Sequence, residues 1–122
     1  MKLGFVGLGI MGRPMAKHLV QAGHDVMVAD LNQDLVNELV AMGAKSGTYA
    51  DMGRDCDIVM MILPTGNIVQ SVIFGEDGVA STMKAGGIII DHSSVTPVES
   101  RECYDGLKEK GIGFLDAPVS GG

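Results

Sequence analysis

Gly7-Leu8-Gly9-Ile10-Met11-Gly12 and Asp30 are the residues of this 122-residue chain whose types and spacing could do chemistry. The six fit G-x-G-x-x-G and follow an apolar run from Leu3 to Val6. A second apolar run, Val26 to Ala29, closes on Asp30. Together they have the form of a grip for a dinucleotide. Gly7 permits a tight turn out of a strand, and Gly9, without a Cβ, lets the backbone approach a pyrophosphate. Gly12 lets the next helix pack close to a sheet, and that helix points free N–H groups and a positive dipole end at phosphates. Asp30 can accept hydrogen bonds from both hydroxyls of an adenosine ribose. A carboxylate there repels a 2′-phosphate, and neither Leu31 nor Asn32 is an arginine able to receive one. The pattern therefore favours NAD over NADP as cofactor.

Such a grip needs a strand before the first glycine, a helix after the last, and a second strand ending at the acid. The remaining sequence repeats that alternation. Short apolar runs over 2–7, 25–29, 44–46, 58–63, 87–91 and 112–116 read as strands. A helix over 10–22 tolerates Pro14 in its first turn and stops at Gly23. Asn32 is a good N-cap for a second helix that turns Leu35, Leu39, Val40 and Met42 toward the sheet and ends at Gly43. A third helix starts at Thr48. Residues 67–74 and 79–83 read as two short helices, and Thr96-Pro97-Val98-Glu99 as a capping box opening a helix to about Lys110. Ile58 to Leu63 is apolar on both faces, as expected of a central parallel strand, and Pro64 stops it. The alternation predicts an α/β fold: a doubly wound parallel sheet of Rossmann type, six strands with covering helices, in the order 3-2-1-4-5-6. Residues 1–122 make one dinucleotide-binding domain.

Composition narrows the partners. A hydrophobic fraction of 46% and a charged fraction of 20% describe a packed globular chain. A net charge of −6 and the lack of any basic run argue against nucleic acid. No apolar stretch approaches the length of a membrane span and no leader segment precedes the first strand, so the expected compartment is cytoplasmic. Cys56 and Cys103 show no metal-ligand spacing and read as free thiols, with no metal expected. The nine methionines read as core filler.

Three stretches, in order, resemble the β-hydroxyacid dehydrogenase family: Gly4-Phe5-Val6-Gly7-Leu8-Gly9-Ile10-Met11-Gly12-Arg13-Pro14-Met15-Ala16, Asp91-His92-Ser93-Ser94-Val95-Thr96-Pro97, and Asp116-Ala117-Pro118-Val119-Ser120-Gly121-Gly122. Phe74-Gly75-Glu76-Asp77-Gly78 is most similar to the tartronate semialdehyde branch of that family. The resemblance implies hydride transfer between a nicotinamide and a short 3-hydroxy acid, giving a semialdehyde. It also implies a small carboxylic acid as substrate and a homo-oligomer at full length. By the same resemblance the backbone around Leu8, Ile10 and Met11 holds the pyrophosphate, and Leu63 and Pro64 line the cofactor cleft. Val69 flanks the adenine and Thr96 lies near the nicotinamide. Ser120, Gly121 and Gly122 bind the substrate carboxylate. The family's acid/base lysine lies on a helix well beyond these motifs, and no lysine here sits in a matching one. The chain thus reads as the cofactor-binding half of an oxidoreductase, with no catalytic residue of its own, and its end as a cut within a longer protein.

Plainer readings stand beside these. Thr96 can serve as the N-cap of its helix, and Ser93 and Ser94 can satisfy backbone groups in a turn. His92 has no acidic or nucleophilic partner nearby in sequence and reads as a bystander to any acid/base chemistry. Two rival functions are a non-catalytic dinucleotide-binding module and a relative of the imine reductases. The latter share the glycine signature but usually favour NADPH, against which Asp30 weighs.

Overall fold

A computed structural model describes residues 1–118. Its strands are β1 (Lys2–Val6), β2 (Asp25–Ala29), β3 (Lys45–Ser46), β4 (Ile58–Met61), β5 (Ile88–Asp91) and β6 (Gly113–Asp116). The helices between them are α1 (Gly12–Gln21), α2 (Gln33–Ala41), α3 (Tyr49–Asp55), α4 (Gly66–Phe74) and α5 (Pro97–Lys108). All strands are parallel and form one sheet in the order β3-β2-β1-β4-β5-β6, the predicted doubly wound arrangement.

Residue alternation along the strands feeds a core on each face. Phe5, Val26 and Val28 pack with Ala16 of α1 and with Val36 and Leu39 of α2. Val6, Val59, Met61 and Ile89 face the other way, against Met52 of α3, Val69, Val72 and Ile73 of α4, and Cys103 and Leu107 of α5. Each fully buried Leu, Ile or Phe contributes about 1.5–3 kcal/mol of burial. Of the methionines, Met52, Met61 and Met83 are buried filler, whereas Met11 is exposed beside the glycine loop.

The helix starts follow from their caps. Asn32 Oδ1 accepts from the Asp34 N–H at 3.0 Å. Thr48 with Asp51, and Thr96 with Glu99, form reciprocal capping boxes. Gly23 ends α1 with φ at 90°, a left-handed conformation that a side chain would strain. Most boundaries shift by a residue, and three differ by more for a physical reason. α1 begins at Gly12 rather than residue 10, because residues 7–11 form the loop itself. Residues 79–81 form a 3-10 turn rather than a helix over 79–83. β4 ends at Met61 rather than Leu63, because the Leu63 N–H turns away to a side chain on the next loop.

Candidate functional site

The sheet order reverses at β1, whose neighbours are β2 on one side and β4 on the other. The crossovers from β1 and β4 leave on opposite faces, so a crevice opens at the carboxyl ends of these strands. There a cleft of about 400 Å³ is lined by Gly7, Gly9, Ile10, Met11 and Gly12, by Asp30, Leu31 and Tyr49, and by Ile62, Leu63, Pro64 and Ile68 behind Val6. A groove of similar volume between 53–57 and 83–87 lies near the amino ends of β4 and β5, away from the glycine motif.

The three motif glycines are glycine for three different reasons. Gly7 has φ at 96°, and a Cβ there would lie 2.1 Å from the Ile62 carbonyl oxygen. A Cβ on Gly12 would lie 1.9 Å from the Gly7 carbonyl oxygen and 2.8 Å from Ile62 Cγ2, so this glycine sets how closely α1 approaches the sheet. A Cβ on Gly9 would meet nothing within 4 Å. Its missing side chain therefore serves no packing need of the fold and leaves the cleft floor open. The Arg13 N–H turns back to the Gly9 carbonyl at 2.9 Å, and Met11 caps α1 with no side-chain hydrogen bond. Among the described residues the N–H groups of Gly9 to Gly12 have no acceptor, the arrangement that suits an anion at a helix start.

Asp30 ties the loop together. Its Oδ2 accepts from the Leu8 N–H at 2.5 Å and its Oδ1 from the Asn32 N–H at 2.7 Å. A carboxylate has about four acceptor positions, so roughly two remain for ribose hydroxyls. The Leu8 side chain is fully buried in the α1/α2 core, so only its backbone belongs to the site. Tyr49, at the first position of α3, lines the cleft beside Asp30. Burial first and the Asp30 charge second raise its phenol pKa and keep it a hydrogen-bond donor.

Leu63 and Pro64 lie in the wall of this cleft. Val69 does not: it is 1% exposed and packs into the α3/α4/α5 core. Because α4 starts at Gly66, the helical phase turns Val69, Val72 and Ile73 inward and sets Ile68 on the cleft instead. Thr96 is exposed at the start of α5, its hydroxyl accepting from the Glu99 N–H at 3.2 Å, and is not part of the cleft lining. Ser120, Gly121 and Gly122 lie outside the described residues. Leu31, Tyr49 and Ile68 were missed by the sequence reading. Leu31 could have been found as an apolar side chain directly after Asp30 with no strand or helix face to bury it.

A buried polar group stands behind the wall. Asp91 and Ser93 are each 1% exposed. The Ser93 N–H donates to Asp91 Oδ1 at 2.9 Å, and the Leu63 N–H donates to Ser93 Oγ at 2.7 Å. Burial raises the Asp91 carboxyl, opposed by its contacts with the Ser93 hydroxyl and N–H. His92 Nδ1 lies 2.8 Å from the Ala117 carbonyl oxygen, a partner that fixes the turn after β6. Cys56 and Cys103 are buried free thiols, each pushed up to about 11 chiefly by desolvation. No helix among the described residues is long and apolar enough to cross a membrane.

A family model for the NAD binding domain of 6-phosphogluconate dehydrogenase matches residues 2–122. The 2-hydroxy-3-oxopropionate reductase of Escherichia coli (strain K12) is 42% identical over 123 residues, covering 100% of this chain and 42% of that one. The crystal structure of 3-hydroxyisobutyrate dehydrogenase from Salmonella typhimurium matches with a TM-score of 0.92 at 31% identity, over 100% of this chain and 43% of its own. An imine reductase from Myxococcus stipitatus in complex with NADP+ shares the fold, with a TM-score of 0.86 at 21% identity over 95% of this chain and 40% of its own. The chain spans about four tenths of the length of the curated relatives it matches.

Proposed function

The chain belongs to the family of the NAD binding domain of 6-phosphogluconate dehydrogenase, and on that premise we propose that its cleft binds NAD in preference to NADP. The observation that carries this reading is the pairing of an open Gly9 and acceptor-free N–H groups at one end of the cleft with the Asp30 carboxylate at the other. The first end suits a pyrophosphate over the start of α1. The second suits the two hydroxyls of an adenosine ribose and repels a 2′-phosphate. Leu31 and Ile68, both exposed and apolar, wall the adenine in this reading and take the place expected of Val69. The fold itself leaves the cofactor choice open, since an imine reductase of the same fold is bound to NADP+. The acid at position 30 is what supports NAD here.

In a protein of the relatives' length, the reading extends to oxidoreduction of a short 3-hydroxy acid and its semialdehyde, of the 2-hydroxy-3-oxopropionate class. The nicotinamide supplies the hydride when bound. The residues of this chain orient it: the glycine loop anchors the phosphates, Leu63 and Pro64 bound the cleft, and Ser120 to Gly122 take the substrate carboxylate. Among the described residues the cleft lining holds no lysine or histidine, so proton transfer is assigned to groups elsewhere in such a protein. The test is a calorimetric titration of the chain with NADH and, separately, NADPH. Saturable binding that is at least about tenfold tighter for NADH, roughly 1.4 kcal/mol, is expected. Equal or tighter NADPH binding overturns the assignment of Asp30.

A further inference from the structure

The cofactor reading leaves one buried carboxyl without a use. Asp91 Oδ2 has no hydrogen-bond partner among the described residues, although the side chain is 1% exposed at the end of β5. A buried carboxyl with one oxygen unpartnered is costly, so a fold that keeps one gains something from its other oxygen. That oxygen holds the Ser93 N–H. Ser93, equally buried, turns its hydroxyl to the Leu63 N–H.

Leu63 needs that hydroxyl for a topological reason. β4 ends at Met61, and the Ile62 N–H still finds the Val6 carbonyl at 3.0 Å. One residue later the sheet offers no further carbonyl, and the Leu63 N–H would be orphaned in the cleft wall. The neighbouring loop supplies the missing acceptor. It holds the wall at a second point as well: a Cβ on Gly66 would lie 1.9 Å from Glu99 Oε2, so the start of α4 sits directly against the capping box of α5. The turn from Ser93 to Glu99 therefore braces the Leu63–Gly66 segment from behind.

We propose that Asp91 and Ser93 are positioning residues for dinucleotide binding. Asp91 fixes Ser93, and the Ser93 hydroxyl holds the Leu63–Pro64 wall in its binding shape before the cofactor arrives. This rests on the reading of the cleft as a dinucleotide site. Neither residue lines the cleft, so both act through Leu63. Without the hydroxyl, the Leu63 N–H must turn toward water and the wall moves with it. The cofactor then has to restore the wall, and its affinity falls in proportion to the fraction of chains already in the right shape.

The experiment compares the unsubstituted chain with Ser93→Ala, using NADH titration and amide hydrogen exchange read residue by residue. In the unsubstituted chain without cofactor, the Leu63 amide is expected to be protected. In Ser93→Ala it is expected to exchange faster while Val59, in the middle of β4, is unchanged, and the Kd for NADH rises about tenfold. A folded Ser93→Ala chain whose Kd stays within about twofold of the unsubstituted value overturns the proposal and leaves the cofactor reading standing. Should Ser93→Ala fail to fold, the unsubstituted chain decides: protection at Leu63 supports the brace, and exchange at a free-loop rate overturns it. No NADH binding by the unsubstituted chain removes the cofactor reading and this proposal with it.

Discussion

Gly9→Val and Gly12→Val are expected to fail in different ways. The valine at position 12 would drive its Cβ into the Gly7 carbonyl, 1.9 Å away, and push α1 off the sheet. Overpacking of this kind costs about 1–3 kcal/mol or more, and here the obstacle is backbone that cannot rotate aside. A Cβ at position 9 meets nothing within 4 Å, so the fold should survive the valine while a pyrophosphate bound over the loop would lose its space. Circular dichroism and NADH titration together separate the cases. Gly9→Val should melt within a few degrees of the unsubstituted chain and lose binding by about a hundredfold or more, whereas Gly12→Val should melt early. Retained affinity in Gly9→Val would mean the phosphates lie elsewhere. Asp30 carries a similar double duty, because its carboxylate holds the Leu8 and Asn32 N–H groups as well as facing the cleft.

The two helices that follow the glycine loop and Asp30 are joined by one exposed cluster. Arg13 of α1 makes a two-pronged contact with Glu38 of α2, at 2.7 Å on each oxygen, and Lys17 reaches the same carboxylate at 2.7 Å. Lys17 first and Arg13 second hold the Glu38 carboxyl below its ordinary value of 4.5. A carboxyl with a lowered folded pKa stabilises the fold above its unfolded value and loses that contribution as pH falls through the folded one. Glu38→Gln should therefore lower the melting temperature slightly at pH 7, by no more than a few degrees. The gap should close below pH 4.5 and in high salt. A gap that persists at low pH would point to packing rather than charge. Elements of this kind were largely legible in the sequence: Asn32, Thr48 and Thr96 announced their helices because capping is a local interaction. The wall of the cleft was not. Val69 and Ile68 differ by one step of helical phase, which depends on where α4 starts. The bond from Leu63 to Ser93 joins residues that no local pattern connects. Tyr49 reads as an ordinary first-turn residue until α3 is placed beside the end of β2.

The molecule as a whole couples binding to stability, since the cleft is assembled from loops that follow β1, β2, β3 and β4. A ligand that binds only the folded chain stabilises it by about 2.7 kcal/mol at a hundred times its Kd. For a chain of this size that should raise the melting temperature by roughly 10 °C with NADH, and by much less with NADPH at the same concentration. Equal shifts for both would contradict the role given to Asp30. The order of the sheet has another effect, which precedes any cofactor. Of the six strands of this sheet β1 is made first and ends at Val6, but the neighbour that covers its second edge begins at Ile58. At about 5–20 residues per second of synthesis, the intervening half-hundred residues take roughly 3–10 s to emerge. For that interval the growing chain carries Phe5 and Val6 on a strand whose edges are both bare until Asp25–Ala29 is made, and one of them bare until Ile58, while the ribosome is still at work.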